Sequence, residues 1–286
     1  MERRRSRVSA AIMTLVVVPW VLAPPRVKAA SLNEVYANRV AMSALNERCH
    51  LFEPSLASAL AMSRDQARNA ALRAGTGSVQ LLAVARAAVS VVSQKACNDG
   101  SVRQEAMHLK SAFAAYRHVL RSRFPGRYAS WSADRTVLET RNPTGLWALW
   151  ETPAGADAAR GRLGILAYES KTLLFSSWHG GQLPSQARLL LRDPNLAANP
   201  YLAGGLTPAP RSAVKVFYGA NRFTAPEGGI GFGFSAEARA ALAALDPREA
   251  AVIEFVFPTR DGDKTERLIY EVGDFAPADG FLGLGD

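Results

Sequence analysis

The sequence predicts an α+β protein in which an N-terminal, disulfide-tied helical bundle precedes a mainly antiparallel, β-sandwich-like domain. Three observations carry this expectation. Apolar residues recur at three- and four-residue spacing from Ser31 to about Arg127, the mark of helices with one buried face. Beyond about Arg135 they alternate in short runs bounded by Gly, Pro and Asp, as half-buried strands do. The chain has only two cysteines, Cys49 and Cys97, and both lie in the helical half. With 48% hydrophobic and 8% aromatic residues among 286, there is ample material for packed cores.

Residues 1–29 read as a segment apart. A basic stretch, Met1-Glu-Arg-Arg-Arg-Ser-Arg7, leads into an apolar run from Val8 to Ala23 broken at Pro19, with small residues around Val27-Lys-Ala29. That layout is a secretory signal peptide, cleaved after Ala29 or Ala30. The run falls short of the roughly 20 apolar residues that span a bilayer, so no transmembrane segment is expected after its removal. No cysteine sits near the cut for a lipid anchor, and Ser6-Arg7-Val8 departs from a twin-arginine pattern, so general secretion to the periplasm or beyond is expected. The segment holds six of the 34 basic and one of the 25 acidic side chains, so the remainder carries net +4 in place of +9. With no basic run interleaved with aromatics, nucleic acid is not an expected partner.

Export gives the cysteines their meaning. In an oxidising compartment Cys49 and Cys97 are expected to pair, and closing that loop removes on the order of 4 kcal/mol of unfolded-chain freedom. A zinc site using His50 would need a second close-spaced ligand pair near Cys97, which is missing.

The helical half, 30–130, divides into four. Leu32, Val35, Tyr36, Val40, Leu45, Cys49 and Phe52 suit one face of a first helix, ended or kinked by Pro54. A second runs from Ser55 through Leu60 and Ala71 to a cap at Gly75, and a third from Ser78 to Cys97. Asn98-Asp-Gly100 turns the chain, and Ser101-Val-Arg-Gln104 reads as a capping box for a fourth helix continuing to Leu120 and stopped by Pro125-Gly126. Its His108 and His118 lie roughly 80° apart around the axis, which disfavours a shared metal. Arg117, Arg121, Arg123 and Arg127 crowd its expected C-terminus. There they complement the helix dipole, or face an anionic surface such as lipid head groups.

The β half, 136–286, starts with Leu146-Trp-Ala-Leu-Trp150, a strand with tryptophans on opposite faces. Leu163–Tyr168 and Thr172–Trp178 form a hairpin around Glu169-Ser-Lys171; shorter strands follow at Gln186–Leu191, Ala213–Tyr218 and Ile230–Phe234. The loop from Arg192 to Arg211, rich in proline, is long enough to suggest a functional role. Ser235 caps a short helix over 235–245, and Ala251–Phe257 with Arg267–Val272 is a second hairpin turned by Asp261-Gly-Asp263. Phe275 and Phe281 finish the domain before a loose tail from Gly283.

The order strand, Phe234-Ser235-Ala-Glu237 helix, strand, hairpin and closing Val272-Gly-Asp-Phe275 resembles the C-terminal part of the invasion-associated locus B family of exported bacterial proteins. The resemblance covers some 70 residues and implies an exported β domain without an established catalytic role. The members carry cysteines there, and this chain has none.

Few chemistries find their residues. The Gly-x-Ser-x-Gly elbow of serine hydrolases is absent. His179-Gly-Gly181, with Ser176 and Ser177 beside it, is the best catalytic candidate, set against a plain turn. Gly228-Gly-Ile-Gly-Phe-Gly233 lacks phosphate-loop spacing and fits strands packing closely. Gly262-Asp-Lys-Thr265 lacks the upstream glycine of a Walker loop, and Asp261 with Asp263 lacks the glutamate of a calcium loop. Whether Glu169 and Glu254 meet as a glycosidase pair needs coordinates. No cofactor or metal is expected. The expected function is non-enzymatic binding of an unidentified envelope protein or cell-surface component, with a periplasmic serine hydrolase using Ser176 or Ser177 and His179 as the alternative.

Overall fold

The computed structural model describes residues 31–140, 145–169, 171–220 and 222–285, so the expected signal segment lies outside the described residues. Residues 31–286 form one compact unit. The α+β expectation holds: helices come first, then two antiparallel sheets.

Helix α1 spans Leu32–Cys49 and begins in a capping box, with Ser31 and Glu34 each accepting the other's backbone N–H. It ends on His50 in the left-handed region (φ 50°). Helix α2, Pro54–Arg73, opens on its proline, where the missing N–H costs nothing. Helix α3 covers Ser78–Ser93, and α4 covers Gly100–Tyr116. The capping box expected at Ser101 is corrected: Asp99 is the cap and accepts the Ser101 N–H at 2.7 Å. Cys49 and Cys97 are bonded, with Cα atoms 5.6 Å apart. Arg48 reinforces the link by donating to the Ser93 carbonyl at 2.5 Å and to that of Lys95, carbonyls that the end of α3 leaves free.

The fourth helix stops short of Leu120, and the chain turns to strand ahead of the expected boundary. Strands β1 (Arg121–Pro125) and β2 (Ser130–Asp134) pair antiparallel. Phe124 is wholly buried while Arg121, Arg123 and Pro125 are exposed, a period-two pattern too short to stand out after a long helical run.

The remaining strands are β3 (Leu146–Glu151), β4 (Gly161–Tyr168), β5 (Lys171–Trp178), β6 (Gln186–Arg192), β7 (Val214–Tyr218), β8 (Arg222–Thr224), β9 (Ile230–Phe234), β10 (Ala250–Thr259) and β11 (Gly262–Glu271). One sheet runs β1-β2-β3-β4-β5-β9-β8, the other β11-β10-β6-β7. They meet through Trp178, whose ring centroid lies 5.1 Å from those of Phe255 and Phe257. The register of β3 against β4 shifts between Trp147 and Leu149. Because a bulge inserts a residue and reverses the alternation, Trp147 and Trp150 join one apolar cluster with Phe175 and Phe223 instead of facing apart. In β9 a Cβ on Gly231 would strike the Phe175 ring at 1.7 Å, so glycine there lets the rings pack.

Helix α5 is Ala236–Ala243, capped by Ser235. Helix α6, Phe275–Leu282, was not expected. Its Phe275 packs edge-on to Trp131 at 4.9 Å, and Phe281 contacts Tyr116 and Phe124 at 5.8 and 5.5 Å. Leu284, expected in a loose tail, is buried. One apolar cluster therefore runs from Leu45 and Leu60 of the helices through Phe281 to both sheets.

The corner from β11 into α6 carries the polar ties. The Glu271 carboxylate accepts the N–H groups of Arg127, Tyr128 and Ala129 at 2.6, 2.7 and 3.1 Å. The Val272 carbonyl accepts from the Trp131 indole at 2.9 Å. Asp274, 1% exposed, accepts from Asn69 at 2.9 Å and from both terminal nitrogens of Arg73 at 2.7 and 3.2 Å. Asp274→Ala strands a largely buried guanidinium and should cost about 3–5 kcal/mol in urea unfolding. Asp65→Ala, which breaks a half-exposed pair with Arg64, should cost under about 1 kcal/mol.

Candidate functional site

Ser176 and Ser177 are consecutive on β5, so they point to opposite faces. Only Ser177 meets His179. Its Oγ is 3.0 Å from His179 Nε2, and it donates to Glu227 Oε1 at 2.8 Å. Ser176 is fully buried, and among the described residues its hydroxyl has no hydrogen-bond partner. Glu227 comes from the turn between β8 and β9; the sequence reading missed it, and its one trace there is a carboxylate ahead of Gly228-Gly229.

The resulting Ser–His–Glu contact is not a proton relay. A relay needs the acid on one imidazole nitrogen and the nucleophile on the other. Here Glu227 Oε1 lies 3.0 Å from the same Nε2 that faces Ser177. Ser177 is fully buried, and its Oγ also accepts the Arg162 N–H at 3.2 Å. The other oxygen of Glu227 accepts from the Trp147 indole at 2.5 Å. Ser177 and Glu227 are each engaged by more than one partner, and the set acts as a clamp that pins the 225–229 turn across β5. His179-Gly-Gly181 is a turn folded over Trp178: a Cβ on Gly180 would lie 2.6 Å from that ring, and the Trp178 indole donates to the Gln182 carbonyl at 2.9 Å.

The long loop does not enclose His179. Arg192 anchors its start through Glu249 at 2.6 and 3.0 Å, and Arg211 at its end reaches the buried Glu254. Between them, Leu202–Gly205 line a cavity of about 210 Å³ with Arg73, Arg127 and Arg248. Arg73 is held by Asp274 and Arg248 by Asp246.

The arginines expected on one helix end are dispersed by the earlier strand. Arg117 follows α4, Arg121 on β1 pairs with Asp134 at 2.7 Å, Arg123 is exposed, and Arg127 stands over the Tyr128 ring at 5.6 Å. The two carboxylates left open as a glycosidase pair lie apart: Glu169 turns the β4–β5 hairpin, whereas Glu254 lies in the other sheet and accepts from Arg267 at 2.9 Å. His108 faces Glu105 at 3.8 Å, and His118 accepts from Arg117 at 3.3 Å. Among the described residues, no cluster of three or more His, Cys, Asp or Glu could hold a metal, and no helix is long and apolar enough to cross a membrane.

Two features remain. Glu151, 1% exposed, uses Oε1 to accept the Glu271 N–H at 3.4 Å and leaves Oε2 without a partner. Burial first, and the Glu271 carboxylate second, push its pKa well above the ordinary carboxylate value. The other is an open groove of about 270 Å³ between α1, α2 and α4, walled by Leu56, Leu60, Met62, Leu109 and Phe113 with Arg39 alongside. No sequence motif marks it, because its wall is the same apolar periodicity that builds the bundle.

A fluorophosphonate probe should leave folded protein unlabelled at Ser177; labelling abolished by Ser177→Ala would make the clamp an active site after all. For Glu151 the linkage runs against high pH. Below about 4.5 both folded and unfolded chains hold its proton; between 4.5 and the raised folded value the unfolded chain has released the proton that the folded chain keeps, and stability falls across that window. Relative to Glu151→Gln, the native protein should therefore lose stability as pH rises from about 4.5, by at most about 1.4 kcal/mol per pH unit, and level off once the folded chain also ionises, in urea titrations at a series of pH values. No family model matches the chain, and neither a curated protein nor a solved structure is significantly similar to it.

Proposed function

We propose that the chain is an exported, non-enzymatic binding protein, periplasmic or secreted, that holds an envelope component in the groove of its helical layer. The groove carries the reading. It is open, apolar and about 270 Å³, whereas the best catalytic candidate is a saturated clamp around a buried Ser177. Concave apolar surface with few polar groups is what ligand sites are made of.

Export rests on the signal-like residues 1–29 and on the Cys49–Cys97 bond, a crosslink that persists in oxidising compartments. The resemblance to invasion-associated locus B proteins supports the same placement for the β half and assigns it no chemistry. Exposed Arg123 and Arg127 lie on the β1–β2 side, where they would favour an anionic envelope surface.

The test is a benzophenone amino acid placed at Leu109 in the producing cell, with Leu183, exposed in the β half, as the control position. Illumination should give a defined adduct at Leu109 and none at Leu183, on a mature chain whose first residue is Ala30 or Ser31. Equal adducts at the two positions would remove the groove as the binding face, and an uncleaved N-terminus would remove export.

A further inference from the structure

The groove has one charged lining residue. Its polar wall is Arg39, Ser63 and Gln66, and no acid lines it. Among the described residues the Arg39 side chain makes a single hydrogen bond, from Nη1 to Asn38 Oδ1 at 3.4 Å. Its Nε is buried with no acceptor. Guanidinium groups that lose water without a partner are costly and rare. Among the described residues the other arginines withdrawn from water have acceptors: Arg192 pairs with Glu249, the part-buried Arg73 pairs with Asp274, and Arg135 donates to the Arg117 and Val119 carbonyls.

We infer that the groove binds a single-chain anionic amphiphile, with its acyl chain against Met62 and Phe113 and its carboxylate or phosphate head on Arg39. This rests on the binding function proposed above and names the ligand class for the same groove. Charge complementarity selects the head, because a cation without an acid beside it is matched by an anion brought by the ligand. Shape selects the tail. The 270 Å³ groove lies just below the range of about 300–1,000 Å³ of drug-sized sites, room for one chain and not for a two-chain lipid. A cationic head would leave the Arg39 Nε unmatched, and a neutral head would accept its hydrogen bond without supplying the opposite charge.

The experiment is calorimetric titration of the full mature chain, below micelle-forming concentrations, with dodecanoate, dodecyl phosphate, dodecanol and dodecyltrimethylammonium. At least one anion should bind tenfold or more tighter than dodecanol, and the cation should bind weakest. The tighter anion identifies the head as carboxylate or phosphate. Affinity should rise about fourfold per added methylene until the groove is full. Arg39→Gln should weaken the anion at least tenfold and leave dodecanol unchanged, with Arg39→Lys recovering part of the loss; circular dichroism checks that both variants fold. Equal affinity for dodecanol and both anions in the native protein overturns the inference without recourse to any variant, as does an Arg39→Gln protein that binds the anion as tightly. If a Leu109 adduct forms in cells while the four probes bind alike, only the anionic class is wrong; if neither adduct nor binding is seen, the binding function falls with it.

Discussion

Four consecutive residues, Glu271 to Asp274, fasten the parts of this protein to one another. Glu271 takes three N–H groups of the β1–β2 turn, Val272 takes the Trp131 indole, and Asp274 takes Arg73 and Asn69 of α2. Gly273, with φ 49°, bends the backbone between them and donates its N–H to the Pro247 carbonyl. A carboxylate that accepts several N–H groups replaces the water it loses, so the corner can be buried. Without it the last helix has no fixed approach to the core, and Phe275 and Phe281 lose the direction that places them under Trp131 and Phe124.

That corner makes the helical and β halves one body. The bundle is not an independent cap tied by its disulfide: its α2 is held to the end of the chain, and α4 packs through Tyr116 onto Phe281. The disulfide works inside the helical layer, joining the end of α1 to the segment after α3. The groove walled by α2 and α4 is therefore set by two constraints far apart in sequence.

Two sets of polar contacts tie the β half together. Glu227, His179, Ser177, Arg162 and Trp147 share one set of contacts, and the loop after Arg192 is held at both ends by carboxylates of the four-stranded sheet or its approach. Among the described residues, buried groups without a partner remain on Glu151, Ser176, Glu254 and Tyr270 inside the β half and on Arg39 in the helical half. Of these, Arg39 alone lines an open cavity in which a ligand could complete it. Tyr270 is buried among carboxylates, and burial pushes its phenol pKa well up, so it keeps its proton.

The sequence by itself determined what depends on neighbours in the chain. Helical periods place α1 to α4, alternation places the β10–β11 hairpin, and two cysteines in one helical region imply their bond, since each follows from local spacing. It gave no warning of β1, of α6 or of the bulge that turns Trp147 and Trp150 to one side, because β1 follows a helical run with a single buried residue, α6 carries Pro277 and Gly280 inside its eight residues, and a bulge depends on the neighbouring strand. Tertiary structure decided the rest: which of two adjacent serines meets His179, that Glu227 arrives from a distant turn to saturate both, and that Arg39 is left without an acid beside an apolar wall. Those outcomes depend on which residues distant in sequence are brought within hydrogen-bonding reach, and no local pattern encodes that distance.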